Sequence, residues 1–248
     1  MRYKLIGCDV LYRELCLAVA RSPHQVDVEF LPKGLHDLGG PAMSKRMQEV
    51  VDAVDGAVYD AVLFGYGLCG NGLAGVRARS IPLVLPRAHD CITLFLGDRQ
   101  RYLDYFNSHP GVYFKTSGWI ERGGSSELSQ GMMQQQGFAA TREELVAKYG
   151  EENADYLVEE LLRYKTTYSQ FTYIEMGIES DDRFERKTRD EAAERGWKFE
   201  KVRGDMALIE GLVRGEWDET KYLVVPPGYR VAARYGDDGV IGIEQAEA

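Results

Sequence analysis

The chain has 248 residues, with 30 Lys and Arg against 39 Asp and Glu and a formal net charge of −9. With 44% hydrophobic and 28% charged residues it carries enough apolar chain for a core, which excludes disorder of the whole. The acidic balance and the lack of a basic tract exclude a nucleic-acid binder, and no apolar run approaches the roughly 18 residues of a membrane span. The opening MRYKLIGCDV shows neither a long apolar stretch nor a small-residue cleavage pattern, so no secretory leader is expected and the chain is read as cytoplasmic.

In chain order, residues 3–7 read as a short buried strand and 11–20 as a helix with apolar residues at three- and four-residue spacing. Residues 26–31 alternate polar and apolar, as a half-buried strand does. Ser44 is placed to cap a helix over 45–54. Residues 59–65 and 81–85 are short apolar runs, both read as buried strands. Asp98 opens a helix to Phe106, and 111–116 is a further strand. Strands separated by helices of this length indicate βαβ units and a mainly parallel sheet.

The middle changes character. Residues 122–136 are rich in Gly, Ser and Gln without a period and read as a loop or lid. Thr141 with Glu144 forms a capping-box pattern opening a helix to Lys148. Residues 151–167 have strong helical spacing through Tyr156, Leu161 and Tyr164, and the spacing extends the helix over 171–176. Then 181–195 is a charged helix closed by Gly196, 197–202 a strand, 206–213 a helix capped by Asp205, and 221–225 a buried strand stopped by Pro226-Pro227-Gly228. The expected fold is one α/β unit with a mainly parallel, doubly wound sheet. It has two Rossmann-like lobes, 1–120 and 177–248, joined by a helical segment over 121–176.

All four cysteines lie in the first 91 residues. Without an export signal, thiolate chemistry or buried thiols are the readings, not disulfides. Cys16 falls on the apolar side of the first helix and reads as core. Cys8, Cys69 and Cys91 each follow a predicted strand. In a parallel sheet the carboxyl ends of the strands share one edge, where ligands bind, and neighbouring strands are ~4.8 Å apart. Given a favourable strand order, three thiols therefore converge, with His89 beside Cys91 in an extended segment that faces both the same way. Thiolate and imidazole together suit zinc, as Cys₃His from Cys8, Cys69, His89 and Cys91, or a [4Fe–4S] cluster on the three cysteines with His89 as acid or base. Buried small residues at strand ends are the plain alternative.

Arg87 and Asp90 bracket His89 and are the other catalytic candidates, Arg87 as an anion holder or as a cation that lowers thiolate pKa values. Asp9 reads either as a partner of a metal-bound His or as a helix cap. Gly65, Gly67, Gly70 and Asn71 are the cofactor-binding candidates: GxGxxG after a strand matches the dinucleotide pattern formally. Asn71-Gly72 breaks the helix that pattern needs, which leaves a bare turn or a loop shaping the pocket. Trp119 and the tyrosines 156, 164, 168 and 173 read as core or interface, and His24, His36 and His109 as exposed turn residues.

The segments Cys8–Leu15, 65–72, 86–92 and 223–228 together resemble the domain-of-unknown-function family numbered 1638. The resemblance covers nearly the whole chain and supplies no established activity. It implies a prokaryotic, often anaerobic setting beside corrinoid-dependent methyl-transfer proteins, and so one-carbon chemistry. The expected function is a metal-dependent transferase or lyase acting on a small molecule, with corrinoid methyl-transfer proteins as partners and a homodimer from the tyrosine-rich helices. The alternative is an accessory protein that holds a metal or corrinoid for a methyltransferase. The corrinoid version lacks its Asp-x-His-x-x-Gly motif.

Overall fold

The computed structural model describes residues 1–122, 146, 151, 168–234 and 241–246. Seventeen helices and strands follow one another in the described residues: β1 (Arg2–Cys8), α1 (Tyr12–Ala20), β2 (Gln25–Leu31), α2 (Gly40–Asp52), β3 (Ala61–Gly65), β4 (Leu83–Pro86), α3 (Cys91–Leu96), α4 (Arg99–Ser108), β5 (Val112–Lys115), α5 (Ser117–Arg122), β6 (Gln170–Glu175), α6 (Arg183–Arg195), β7 (Lys198–Arg203), α7 (Ala207–Arg214), β8 (Tyr222–Val225), β9 (Tyr229–Ala233) and β10 (Ile241–Gln245). Short 3₁₀ turns follow β1 (Asp9–Leu11) and β2 (Lys33–Leu38).

A five-stranded sheet has the order β2-β1-β3-β4-β8, parallel except for β8, which pairs antiparallel with β4. Its central strands are apolar on both faces: Leu5, Ile6, Leu63, Phe64 and Leu83 are fully buried. Each such side chain contributes roughly 1.5–3 kcal/mol on leaving water. Gly7 and Gly65 lie opposite each other in register, and a Cβ on Gly65 would stand 2.8 Å from Leu15, so this pair lets α1 approach the sheet. A second, parallel sheet has the order β5-β6-β7, and β9 and β10 form an antiparallel hairpin. The sheets do not divide the chain end from end. β5 joins β6 and β7, and β8 returns to the sheet begun by β1.

The mixed α/β architecture with a mainly parallel sheet agrees with the sequence reading. Three local readings are corrected. Residues 170–175 are a buried central strand and not the end of a helix: Phe171, Thr172, Tyr173 and Ile174 are aromatic or β-branched and buried on both faces. Ser44 lies inside α2, which begins at Gly40, and its hydroxyl donates to the Ala74 carbonyl (2.6 Å) instead of capping. Cys91 is the first residue of a helix. Asp98 acts as expected, accepting from Arg101 N–H (2.8 Å), whereas α7 begins one residue later than read, with Met206 at the cap position and Asp205 accepting from Ala207 N–H (2.8 Å). The loop over 123–136, the capping box at Thr141 and the helix over 152–167 lie outside the described residues.

Candidate functional site

The strand order meets the condition on which convergence depends. β1, β3 and β4 are adjacent and parallel, so the turns carrying Cys8, Cys69 and Cys91 leave one edge of the sheet. Two of these turns are paired by main chain: Leu68 N–H donates to the Ala88 carbonyl and Cys69 N–H to the His89 carbonyl (both 2.9 Å). Gly67 permits the pairing, because a Cβ there would stand 2.7 Å from the Asp90 backbone. Cys69 (φ +50°) and Asn71 (φ +68°) adopt the left-handed region, which Asn tolerates and which strains Cys69.

The three thiols share one electrostatic neighbourhood. Burial pushes the Cys8 thiol up to about 12 and those of Cys69 and Cys91 well above their ordinary value. Neighbouring charge adds to this, Cys69 being raised by Cys8 and Cys91 by Cys69. Two donors bear on the sulfurs. The Tyr66 hydroxyl and the Trp119 indole Nε1 are buried atoms with no partner of ordinary hydrogen-bond geometry. The first acts to lower Cys8 and the second to lower Cys91. Among the described residues, no three His, Cys, Asp or Glu side chains form a group that could hold a metal ion.

Asp90 organises the other side of the site. Its Oδ1 caps α3 by accepting from Ile92 N–H (3.0 Å), and its Oδ2 lies 3.1 Å from both His89 Nδ1 and the Tyr102 hydroxyl. A carboxylate only accepts, so Nδ1 carries the proton and Nε2 is the basic atom. The His89 ring lies parallel to Tyr102 (6.4 Å, 14°), and its hydrogen bond to Asp90 raises its pKa. The turn at Asp90 corrects the extended reading of 89–91. His89 is largely exposed and Cys91 is buried, so they do not face the same way. Cys69, His89, Asp90 and Cys91 line a cavity of about 550 Å³ walled by Tyr102, Phe114 and Trp119.

The remaining candidates separate. Gly70 lines the cavity, whereas Gly65 and Gly67 serve backbone packing. Arg87 is directed elsewhere: its guanidinium donates to the Glu219 carbonyl (2.7 Å) in the turn before β8 and to the Ile241 carbonyl (2.8 Å) of β10, tying the two together. Asp9 Oδ1 accepts from Lys33 N–H (2.8 Å). Cys16 is half-buried on α1. The three histidines read as exposed turn residues are corrected. His24 packs edge-on against Tyr3 (5.2 Å), and His109 stacks on Tyr105 (4.0 Å). His36 lines the cavity with Nε2 3.9 Å from Cys8 Sγ.

The sequence profile of a family described as a protein of unknown function (DUF1638) matches residues 30–213. No curated protein and no solved structure matches the chain. No helix among the described residues is long and apolar enough to cross a membrane.

Proposed function

Because the chain belongs to the DUF1638 family, whose description assigns no activity, we propose from its own residues that it is a metal-dependent enzyme. Cys8, Cys69 and Cys91 hold a soft metal, zinc before a four-iron cluster, beside a cavity that takes a small molecule. The observation that carries this reading is that Cys8, Cys69 and Cys91 stand at or just past the carboxyl ends of the adjacent parallel strands β1, β3 and β4, in an interior where the buried Tyr66 hydroxyl and Trp119 Nε1 lack partners. Buried thiols with pKa values this high are poor nucleophiles at neutral pH, which argues against a metal-free reactive cysteine. Cys8, Cys69 and Cys91 would hold a metal as thiolates, and the Tyr66 hydroxyl and Trp119 indole would stabilise that charge.

Cys8, Cys69 and Cys91 are the residues that would hold a zinc ion, which takes thiolate ligands. The same three cysteines would hold a four-iron cluster, whose protein ligands are also Cys thiolates. Either centre supplies a Lewis acid to a substrate held in the cavity. The chain's own residues supply the rest. Asp90 fixes the His89 ring so that Nε2 handles a proton, and the aromatic walls keep water from the reacting group.

Anaerobic purification followed by metal and sulfide analysis tests this reading. About one zinc, or about four irons with sulfide, is expected per chain, and Cys8→Ser, Cys69→Ser and Cys91→Ser should each lose most of it. A metal-free wild-type protein, or variants that keep the full content, would overturn the proposal.

A further inference from the structure

The cavity beside Asp90 has a wall of uniform chemistry. Tyr102 and Phe106 stand one turn apart on α4, with near-parallel rings (5.9 Å between centroids, 22°). Phe114 of β5 closes on Tyr102 from a second direction (6.5 Å), and Trp119 of α5 adds a fourth ring to the lining. The Trp119 ring already has one cation against it, the Lys33 ammonium 4.5 Å from its centroid. No Lys or Arg is among the described residues that line the cavity. The acidic group there is Asp90. Its oxygens accept from Ile92 and Thr93 N–H and lie against His89 Nδ1 and the Tyr102 hydroxyl. These bonds fix the carboxylate, and no Lys or Arg among the described residues pairs with it.

Aromatic ring faces attract a cation, and more strongly where water is excluded. A carboxylate at the same cavity adds attraction at longer range. An anion meets the reverse of both. A neutral apolar ligand gains from the rings and draws nothing from the charge of Asp90. We propose that the cavity binds a small organic cation with an apolar shell, such as an alkylated ammonium group. It sits on the faces of Tyr102, Phe106, Phe114 and Trp119, with Asp90 as its counter-charge. The volume, about 550 Å³, is that of a small-molecule site. The inference rests on reading this cavity as the substrate site and is independent of the metal. Binding is non-covalent.

Calorimetric titration of the full chain tests it, near pH 8.5, about two units above the ordinary imidazole value. Choline is compared with 3,3-dimethylbutan-1-ol, which has the same shape with carbon in place of the quaternary nitrogen, and choline should bind at least about tenfold more tightly. Phe106 is 50% exposed at the cavity, so Phe106→Leu spares the core. It should weaken choline about threefold or more and leave the neutral analogue within about twofold. Asp90→Asn keeps an oxygen to cap α3 and removes the charge, and should lower the preference for choline by about threefold or more. Equal affinity for choline and its neutral analogue, or no binding of choline at millimolar concentration, would overturn the proposal. So would a preference for choline that neither substitution changes. Metal content is a separate readout. A metal-free protein that binds choline would overturn the metal reading and leave this one standing, and a metal-loaded protein that ignores choline would do the reverse.

Discussion

The molecule has two polar interiors, and they are built on opposite terms. Beneath the three-stranded sheet, Gln170 Nε2 donates to Thr172 Oγ1 (2.9 Å), Glu200 Oε2 (3.0 Å) and the Tyr105 hydroxyl (3.2 Å), and that hydroxyl donates to Glu200 (3.0 Å). Each buried group there has partners within the chain. At the carboxyl edge of the five-stranded sheet, the Tyr66 hydroxyl and Trp119 Nε1 lack them, and so do both oxygens of the fully buried Glu14. Native interiors satisfy nearly all buried polar groups, so a saturated network reads as architecture and a concentration of unsatisfied groups reads as a working site. The contrast makes measurable demands on both sides.

The largest effect is expected at Glu14, on the first turn of α1. Burial pushes its carboxyl up to about 7, and the nearby charge of Glu179 raises it further. An unfolded chain ionises this group near 4.5, so between those values the folded state binds more protons than the unfolded state. Stability from this residue is therefore highest below about pH 4.5 and is lost as pH rises through 7. At about 1.4 kcal/mol per unit, the cost of ionisation at pH 8 approaches roughly 3 kcal/mol. Glu14→Gln should recover most of it at pH 8 and nothing at pH 4, read as urea midpoints at the two values. A variant less stable than wild type at pH 8 would show that the carboxylate is satisfied, and would remove Glu14 from the contrast.

On the saturated side the sign reverses. Gln170→Leu keeps the volume near constant and strips the donors from Thr172 and Glu200. Both keep the Tyr105 hydroxyl as a partner, so the cost is that of lost hydrogen bonds, about 0.5–1.5 kcal/mol. The urea midpoint should fall accordingly with an unchanged denaturant slope. A change under about 0.5 kcal/mol would mean that the network contributes no more than a surface contact does.

How far each interior was legible in the sequence follows from the range of the contacts that build it. Cys8, Cys69 and Cys91 stand out because each follows a local strand signal, and parallel strands end at one edge whatever their order. That β1, β3 and β4 are neighbours is a long-range fact which no local pattern carries. His36 was missed for the same reason. Four residues separate it from the end of β2, and it reaches Cys8 only because β2 pairs with β1. The rule that located the cysteines, a metal-binding side chain just past a strand, would have found it had it been applied to histidine. β6 was hidden by chance helical spacing of Tyr164, Tyr168 and Phe171, although Thr172 and Ile174 favour a strand. Arg87 looks catalytic beside His89, and only the return of the chain at β8 and β10 brings the Glu219 and Ile241 carbonyls that it holds.

The smallest expected effect on stability is the most discriminating. Tyr66 is 1% exposed, and its hydroxyl has no partner of ordinary geometry, so Tyr66→Phe removes a buried polar atom and breaks no established hydrogen bond. The metal-free variant should match wild type within about 0.5 kcal/mol, or exceed it. The same hydroxyl stabilises a thiolate on Cys8, so in the metal-loaded protein its loss should weaken retention. The two measurements must diverge: urea midpoints of the stripped proteins that coincide, and zinc affinities by chelator competition that do not. If Tyr66→Phe destabilises the stripped protein as much as Gln170→Leu does, the hydroxyl is satisfied architecture and the two interiors are of one kind. If both measurements match wild type, Tyr66 is only core. Divergence in the expected direction is the outcome a purely structural phenol does not produce, because its hydroxyl would then serve the folded chain with and without metal alike.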